Sequence, residues 1–253
     1  GPGALYGRPA LAEPARDLGL VLVRSGLTRA KGGRRLSIKS EADLYRHLGL
    51  PYLPPEVPED AVDLETVVAR CGTGGLVEAT DIQGMVHCHS TYSDGADTIE
   101  AMTRAARAMG MRYMTLTDHS PTASYAGGLT IERLRRQWDE IAKAQERIEG
   151  LTILRGTESD IPADGRLDYP DEILEQLDIV IASIHNRHGM DETQVTRRLV
   201  QAMRHPCFKI WGHALGRLIH SRPPVECRVE EVLDVAAASR AAVEINGDPR
   251  RLD

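Results

Sequence analysis

Two histidines one residue apart follow an apolar pair in Met85-Val86-His87-Cys88-His89-Ser90-Thr91-Tyr92-Ser93-Asp94-Gly95. Side chains alternate along a strand, so His87 and His89 share one face and Cys88 takes the other. Asp94 follows in a Ser-Asp-Gly turn that can return a carboxylate to that face. Downstream, further short apolar runs end in Thr117-Asp118-His119, Gly156-Thr157-Glu158, Ser183-Ile184-His185 and Gly212-His213. Singly, each histidine reads as an ordinary core or surface residue. Five strand ends in step do not. Histidines mixed with Glu158 and Asp94 suit Zn²⁺, Mn²⁺ or Fe²⁺, and the lack of thiolates argues against a structural zinc. The donors outnumber what one ion needs, and a carboxylate such as Glu158 can bridge, so two or three divalent ions are expected.

Positioning such a series requires strands that all end on one side. From residue 85 short apolar strands alternate with amphipathic helices. Strands are expected at 85–87, 113–117, 152–156, 179–183, 208–211 and 242–245, and helices from 97, over 130–149, from Pro170, over 191–203 and over 229–239. The pattern means an α/β fold: a parallel sheet covered on both faces, or a barrel. In a barrel the carboxyl ends of the strands form the face where active sites are built.

Residues 1 to about 84 read differently. The spacing predicts a strand over 20–23 with its partner over 36–39, turned at Gly32-Gly33. Ser40 should cap a helix over 41–47 that Gly49 ends. A proline-rich linker follows over 50–58, then a helix over 60–69 and a turn at 72–75. Arg29, Lys31, Arg34, Arg35 and Lys39 fall within eleven residues that hold no acid. Such a run is either a solvated loop or a phosphate-contacting patch.

With 253 residues, 42% hydrophobic and 27% charged, the chain can bury a sizeable core. A net charge of −6 disfavours gripping nucleic acid by charge alone. No apolar run is long enough for a membrane span. The four cysteines lack CxxC spacing, which fits a reducing cytoplasm rather than a disulfide framework. Aromatic residues make up 4%, and Phe208 is the sole phenylalanine, so base-stacking platforms are sparse.

The series His-x-His-Ser-x-x-Ser-Asp-Gly, Thr-Asp-His-Ser, Gly-x-Glu, Ser-x-His, Gly-His and Glu-Ile-Asn resembles the polymerase and histidinol phosphatase (PHP) domain. More narrowly, the chain resembles the C-terminal part of bacterial family X DNA polymerases. The run 48–56, the Asp168-Tyr169-Pro170-Asp171 turn and residues 246–252 carry that likeness. The resemblance covers nearly the whole chain. It implies a distorted seven-stranded β/α barrel with a trinuclear metal site and a small α+β appendage. Residues 1–58 would be a thumb-like remnant with its linker, and 59–253 the metallo-phosphoesterase domain.

By motif, His87, His89 and Glu158 would hold the first ion, Glu158, His185 and His213 the second, and Asp94 with His119 the third. The family completes its site with an Asp-x-His pair after the next strand, beyond Asp253, so the barrel is expected to lack its last strand. The resemblance implies a 3′→5′ exonuclease or 3′-phosphatase acting in DNA repair on single-stranded or gapped 3′ ends. His87, His89, Glu158, His185 and His213 would be catalytic. The nucleotidyl-transfer carboxylates of a polymerase are not in this sequence. Arg187 and Arg217, just beyond two strand ends, are candidate phosphate clamps, and Arg29, Lys31, Arg34 and Arg35 candidate DNA contacts. Two other readings stand beside this one. They are a stand-alone small-molecule phosphatase of the histidinol-phosphatase type, and an inactive DNA-positioning module.

Overall fold

The computed structural model describes residues 11–23, 26–52 and 77–251. The chain divides into two compact units, Gly1–Asp81 and Ile82–Asp253. The expected boundary at 58/59, the helix over 60–69 and the turn over 72–75 lie outside the described residues.

In the first unit, α1 (Ala12–Asp17) leads into the antiparallel pair β1 (Leu20–Val23) and β2 (Gly26–Arg29). The partner of β1 is therefore β2 and not 36–39. β1 and β2 are adjacent in sequence, so pairing them closes a shorter loop than pairing β1 with 36–39. The alternation over 36–39 serves burial instead: Leu36 and Ile38 pack against the cluster of Leu20, Leu27, Leu44 and Tyr45. A single bridge, Thr28 to Arg35, ties that segment to the hairpin. Ser40 caps α2 (Glu41–His47), its side chain accepting from the Asp43 N–H at 3.1 Å.

In the second unit six strands form one parallel sheet: β3 (Gly84–Met85), β4 (Tyr113–Leu116), β5 (Thr152–Asp160), β6 (Ile179–Ser183), β7 (Ile210–Trp211) and β8 (Ala242–Val243). Between successive strands run α3 (Ile99–Ala108), α4 (Ile131–Arg147), α5 (Asp171–Leu174), α6 (Glu192–Met203) and α7 (Val229–Ser239). Strand order follows chain order without reversal, as in a barrel and unlike a doubly wound sheet. The sheet also curls. His87 beyond β3 and Glu244 beyond β8 belong to opposite edges, yet His87 Nδ1 lies 2.6 Å from Glu244 Oε1. Flat, five strand spacings would separate them by about 24 Å.

The sheet has six strands among the described residues, not the seven of a complete barrel, and β3 and β8 do not pair with each other. The helices carry their starts in the sequence. Thr98 and Thr130 cap α3 and α4, and Asp191 with Gln194 forms a capping box on α6. Pro170 stands at the N-cap of α5, one residue earlier than its usual first-turn position. Among the described residues no helix is long and apolar enough to cross a membrane.

Candidate metal centre

Glu158 is the hub. β5 is four residues longer than its expected span and carries Glu158 into the interior, where it is 1% exposed. Its Oε2 lies 3.3 Å from His87 Nε2, 3.4 Å from His89 Nε2 and 3.2 Å from His119 Nδ1. Its Oε1 lies 3.3 Å from His185 Nε2 and 2.8 Å from His213 Nε2. Asp94 approaches from the solvent side, 3.5 Å from His89 Nδ1 and 3.6 Å from His119 Nε2. All seven residues singled out as ligands thus converge on one cavity of about 810 Å³.

Short strands are what free the histidines. β3 and β7 span two residues each, and the chain then leaves the ladder with its imidazoles turned inward. Beyond β3, Cys88 still pairs with β4 territory: its carbonyl accepts from the Thr117 N–H at 2.8 Å, and its N–H donates to Thr117 Oγ1 at 2.9 Å. Gly212 lets β7 pass close to its neighbours, because a Cβ there would stand 2.6 Å from Ile181 Cγ2 and Ser183 Oγ. His213 next to it holds a φ of 26°, a region non-glycine residues seldom occupy.

The turn bearing Asp94 is tied down by Asp118, buried behind it. Asp118 accepts from the Ser90 N–H at 2.8 Å, the Ser90 hydroxyl at 2.6 Å, the Ser93 hydroxyl at 2.5 Å and Gln137 Nε2 at 2.5 Å. The sequence suggested Asp118 only as the middle of Thr-Asp-His. Its role comes from partners in two other segments.

Two more carboxylates escaped notice in the sequence. Asp160 Oδ1 lies 2.6 Å from His185 Nδ1, and Glu244 Oε1 lies 2.6 Å from His87 Nδ1. Glu244 Oε2 also accepts from the His213 N–H and from Asn246 Nδ2. A carboxylate on Nδ1 fixes a proton there, so Nε2 is the nitrogen turned toward Glu158. The available signal was weak: an acid two residues after Glu158, and the first letter of Glu-Ile-Asn.

Electrostatics follow this layout. Burial opposes ionisation of Glu158, but His185, His213 and His87 outweigh it and hold the carboxyl well below its usual range. Burial also opposes protonation of His87 and His185. The carboxylates of Glu158 and Glu244 nonetheless raise His87 to about 10, and Asp160 with Glu158 raises His185 to about 9. Burial lowers His89 and His119, and the Coulombic pull of Glu158 and Asp94 does not offset it.

This donor set fits divalent metal ions. Three groups bring their ligand atoms within 4.8 Å of one another: His87, His89 and Glu158; His89, Asp94 and His119; His119, Glu158 and His185. The buried His89 Nδ1, His119 Nδ1 and Glu158 Oε1 face polar neighbours but make no well-aligned hydrogen bond in the protein. Buried polar atoms left so are costly unless a ligand takes them.

The rim departs from expectation. Arg187 donates to the carbonyls of Pro223 and Pro224, and Arg217 to that of Arg251, and neither lines the cavity. Arg222, Arg250 and Arg251 line it instead. Arg250 is paired with Asp248, Nη2 to Oδ2 at 2.9 Å. Arg29, Lys31, Arg34 and Arg35 are exposed on the first unit.

Residues 86–248 match the PHP domain, and residues 9–57 match the DNA polymerase beta thumb. The chain is 38% identical over 243 residues to the DNA polymerase/3'-5' exonuclease PolX of Bacillus subtilis, covering 96% of this chain and 42% of that protein. It is 34% identical over 165 residues to the probable phosphatase TTE1963 of Caldanaerobacter subterraneus, covering 63% of this chain and 60% of that one. The chain thus spans less than two thirds of the length of these curated relatives. A histidinol phosphate phosphatase from Lactococcus lactis, solved with zinc, L-histidinol and phosphate, aligns with a TM-score of 0.45 at 16% identity, over 67% of this chain and 76% of that one.

Proposed function

Because the chain belongs to the PHP family of phosphoesterases and carries a polymerase-type thumb, we propose that it is a metal-dependent hydrolase of DNA 3′ ends, of the 3′→5′ exonuclease or 3′-phosphatase type. The observation that carries this reading is the convergence of five histidines and Asp94 on one buried, ionised glutamate at the floor of an open cavity. When bound, divalent ions would supply Lewis-acid charge to phosphate oxygens and lower the pKa of water.

The chain's own residues do the rest. His87, His89 and Glu158 would hold one ion, Glu158 with His185 and His213 at its Oε1 a second, and Asp94 with His119 a third. Glu244 and Asp160 hold the Nδ1 protons of His87 and His185, so those rings present Nε2 toward Glu158. Asp118 keeps the Asp94 turn in place. Arg222, Arg250 and Arg251 offer positive charge to the phosphates of an entering strand. The thumb match and the exposed basic run, Arg29, Lys31, Arg34 and Arg35, favour DNA as the substrate.

A second reading, hydrolysis of a small phosphorylated metabolite, is favoured by the likeness over 165 residues to the probable phosphatase TTE1963. The test is to load the chain with Mn²⁺ or Zn²⁺ and follow two substrates side by side. Release of nucleotides or 3′-phosphate from a single-stranded oligonucleotide, lost on Glu158→Ala, is the expected result. Turnover of histidinol phosphate with an inert oligonucleotide would give the second reading the lead. No metal retention and no turnover of either would leave an inactive DNA-positioning module.

A further inference from the structure

Tyr125 stands on a three-residue 3₁₀ turn, Ser124–Ala126, between β4 and α4. The turn is pinned on both sides. Ala123 and Ala126 are buried, the Thr122 N–H donates to Asp168 Oδ2 at 2.7 Å, and Arg133 Nη1 donates to the Gly127 carbonyl at 2.8 Å. Yet the tyrosine itself is 70% exposed. An exposed aromatic residue on a floppy loop needs no explanation. One held outward by a rigid turn, among the residues lining the metal cavity, does. Its ring centroid lies 6.2 Å from that of His119 and 6.1 Å from that of His185. Those rings are tilted against it by 60° and 63°, so neither lies flat over the phenol. A second apolar group on the cavity lining, Ile245, is 92% exposed.

A cavity with an anionic and imidazole floor, arginines on its lining and an aromatic lip matches the parts of a nucleotide. In a nucleotide one sugar separates the phosphate from a flat, apolar base. A phosphate over Glu158 would therefore bring that base to the lip. The volume of about 810 Å³ falls within the range for pockets that enclose a single drug-sized ligand and is far too small for a duplex. We propose that Tyr125, with Ile245 beside the same cavity, forms a stacking subsite for the base of the 3′-terminal nucleotide. Bases stack on aromatic side chains with little regard to sequence, so the subsite would favour a single-stranded end of any sequence.

The inference rests on the DNA 3′-end reading, and one experiment separates the two. The metal-loaded full chain is given two single-stranded oligonucleotides, identical except that one ends in an abasic 3′ nucleotide. The readout is the ratio of kcat/KM for the base-bearing end over the abasic end. Stacking predicts a ratio of about 10 or more in the native chain. Tyr125→Phe should keep it, and Tyr125→Ala should bring it near one. The same ratio is read from equilibrium binding in chelator, where nothing is turned over, and metal content of each variant guards against damage to the floor. A native ratio near one, or a ratio that Tyr125→Ala leaves intact, overturns the subsite alone. No hydrolysis of either oligonucleotide by the native chain overturns the 3′-end reading itself.

Discussion

The floor and the rim of the cavity are built by different rules. The floor takes its side chains from the ends of successive parallel strands, each locked by a ladder and backed by a helix. The rim takes them from the turn after β4 and from the segments after β7 and β8, which run outside any ladder. Floor histidines are buried or half-buried and mutually engaged, with Glu158 1% exposed. Rim residues are half-buried or exposed, Tyr125 to 70%. A rigid floor suits chemistry, which tolerates little misplacement. An open rim suits recognition of a chain that must enter and leave.

The largest effect should come from the hub. Replacing Glu158 with glutamine keeps its shape but removes the charge that faces five histidines. Metal retention and turnover are expected to fall by more than about 100-fold, beyond the range typical of outer partners. Elemental analysis after gel filtration, alongside oligonucleotide hydrolysis, checks both. A variant that keeps its metal and its rate would erase the distinction between floor and rim.

The outer carboxylates sharpen the same comparison. Glu244→Gln and Asp160→Asn should each weaken metal binding by about 10–100-fold, read by competition with a chromogenic chelator. Glu244 should cost more, because its contact with His87 joins the two edges of the sheet and its second oxygen accepts from the His213 N–H. Equal losses would mean that only the histidine tautomer matters.

The division between floor and rim is also the division between what the sequence disclosed and what it did not. His87, His89, His119, Glu158, His185 and His213 were legible because strand periodicity and strand ends are local properties. The six strands and the larger helices were legible for the same reason. Asp118, Asp160 and Glu244 were not, since their roles depend on partners 19 to 157 residues away. The hairpin partner of β1 was misread because the alternation over 36–39 reflects packing on the small core rather than a ladder. Arg187 and Arg217 do not line the cavity for a similar reason. Arg187 and Arg217 stand close to strand ends in sequence, but backbone carbonyls of later segments take their guanidinium groups.

Rim arginines should therefore matter modestly. Arg250 is exposed and already paired with Asp248, so its attraction for an entering phosphate is screened. Arg250→Ala is expected to raise KM roughly fivefold or less while leaving kcat nearly unchanged, the signature of lost uniform binding. Steady-state kinetics on a short single strand measure both. A fall in kcat with unchanged KM would assign Arg250 to the floor's chemistry rather than to the rim.

The smallest effect should come from the basic run of the first unit. Arg29, Lys31, Arg34 and Arg35 are exposed, and the run itself holds no acid. Basic side chains of this kind bind phosphates by releasing counterions, so removing them shows in salt dependence more than in rate. Neutralising Lys31 and Arg34 together should lower the slope of log affinity against log salt by about 0.7 for each phosphate of single-stranded DNA left without its cation. Hydrolysis of a saturating short oligonucleotide should not change, because the ligands of the cavity floor all belong to the second unit. An unchanged slope would make the run a solvated turn, and the DNA preference would then rest on the cavity alone. A changed slope with unchanged turnover would divide the labour between units: the first holds the strand, and the second hydrolyses its end.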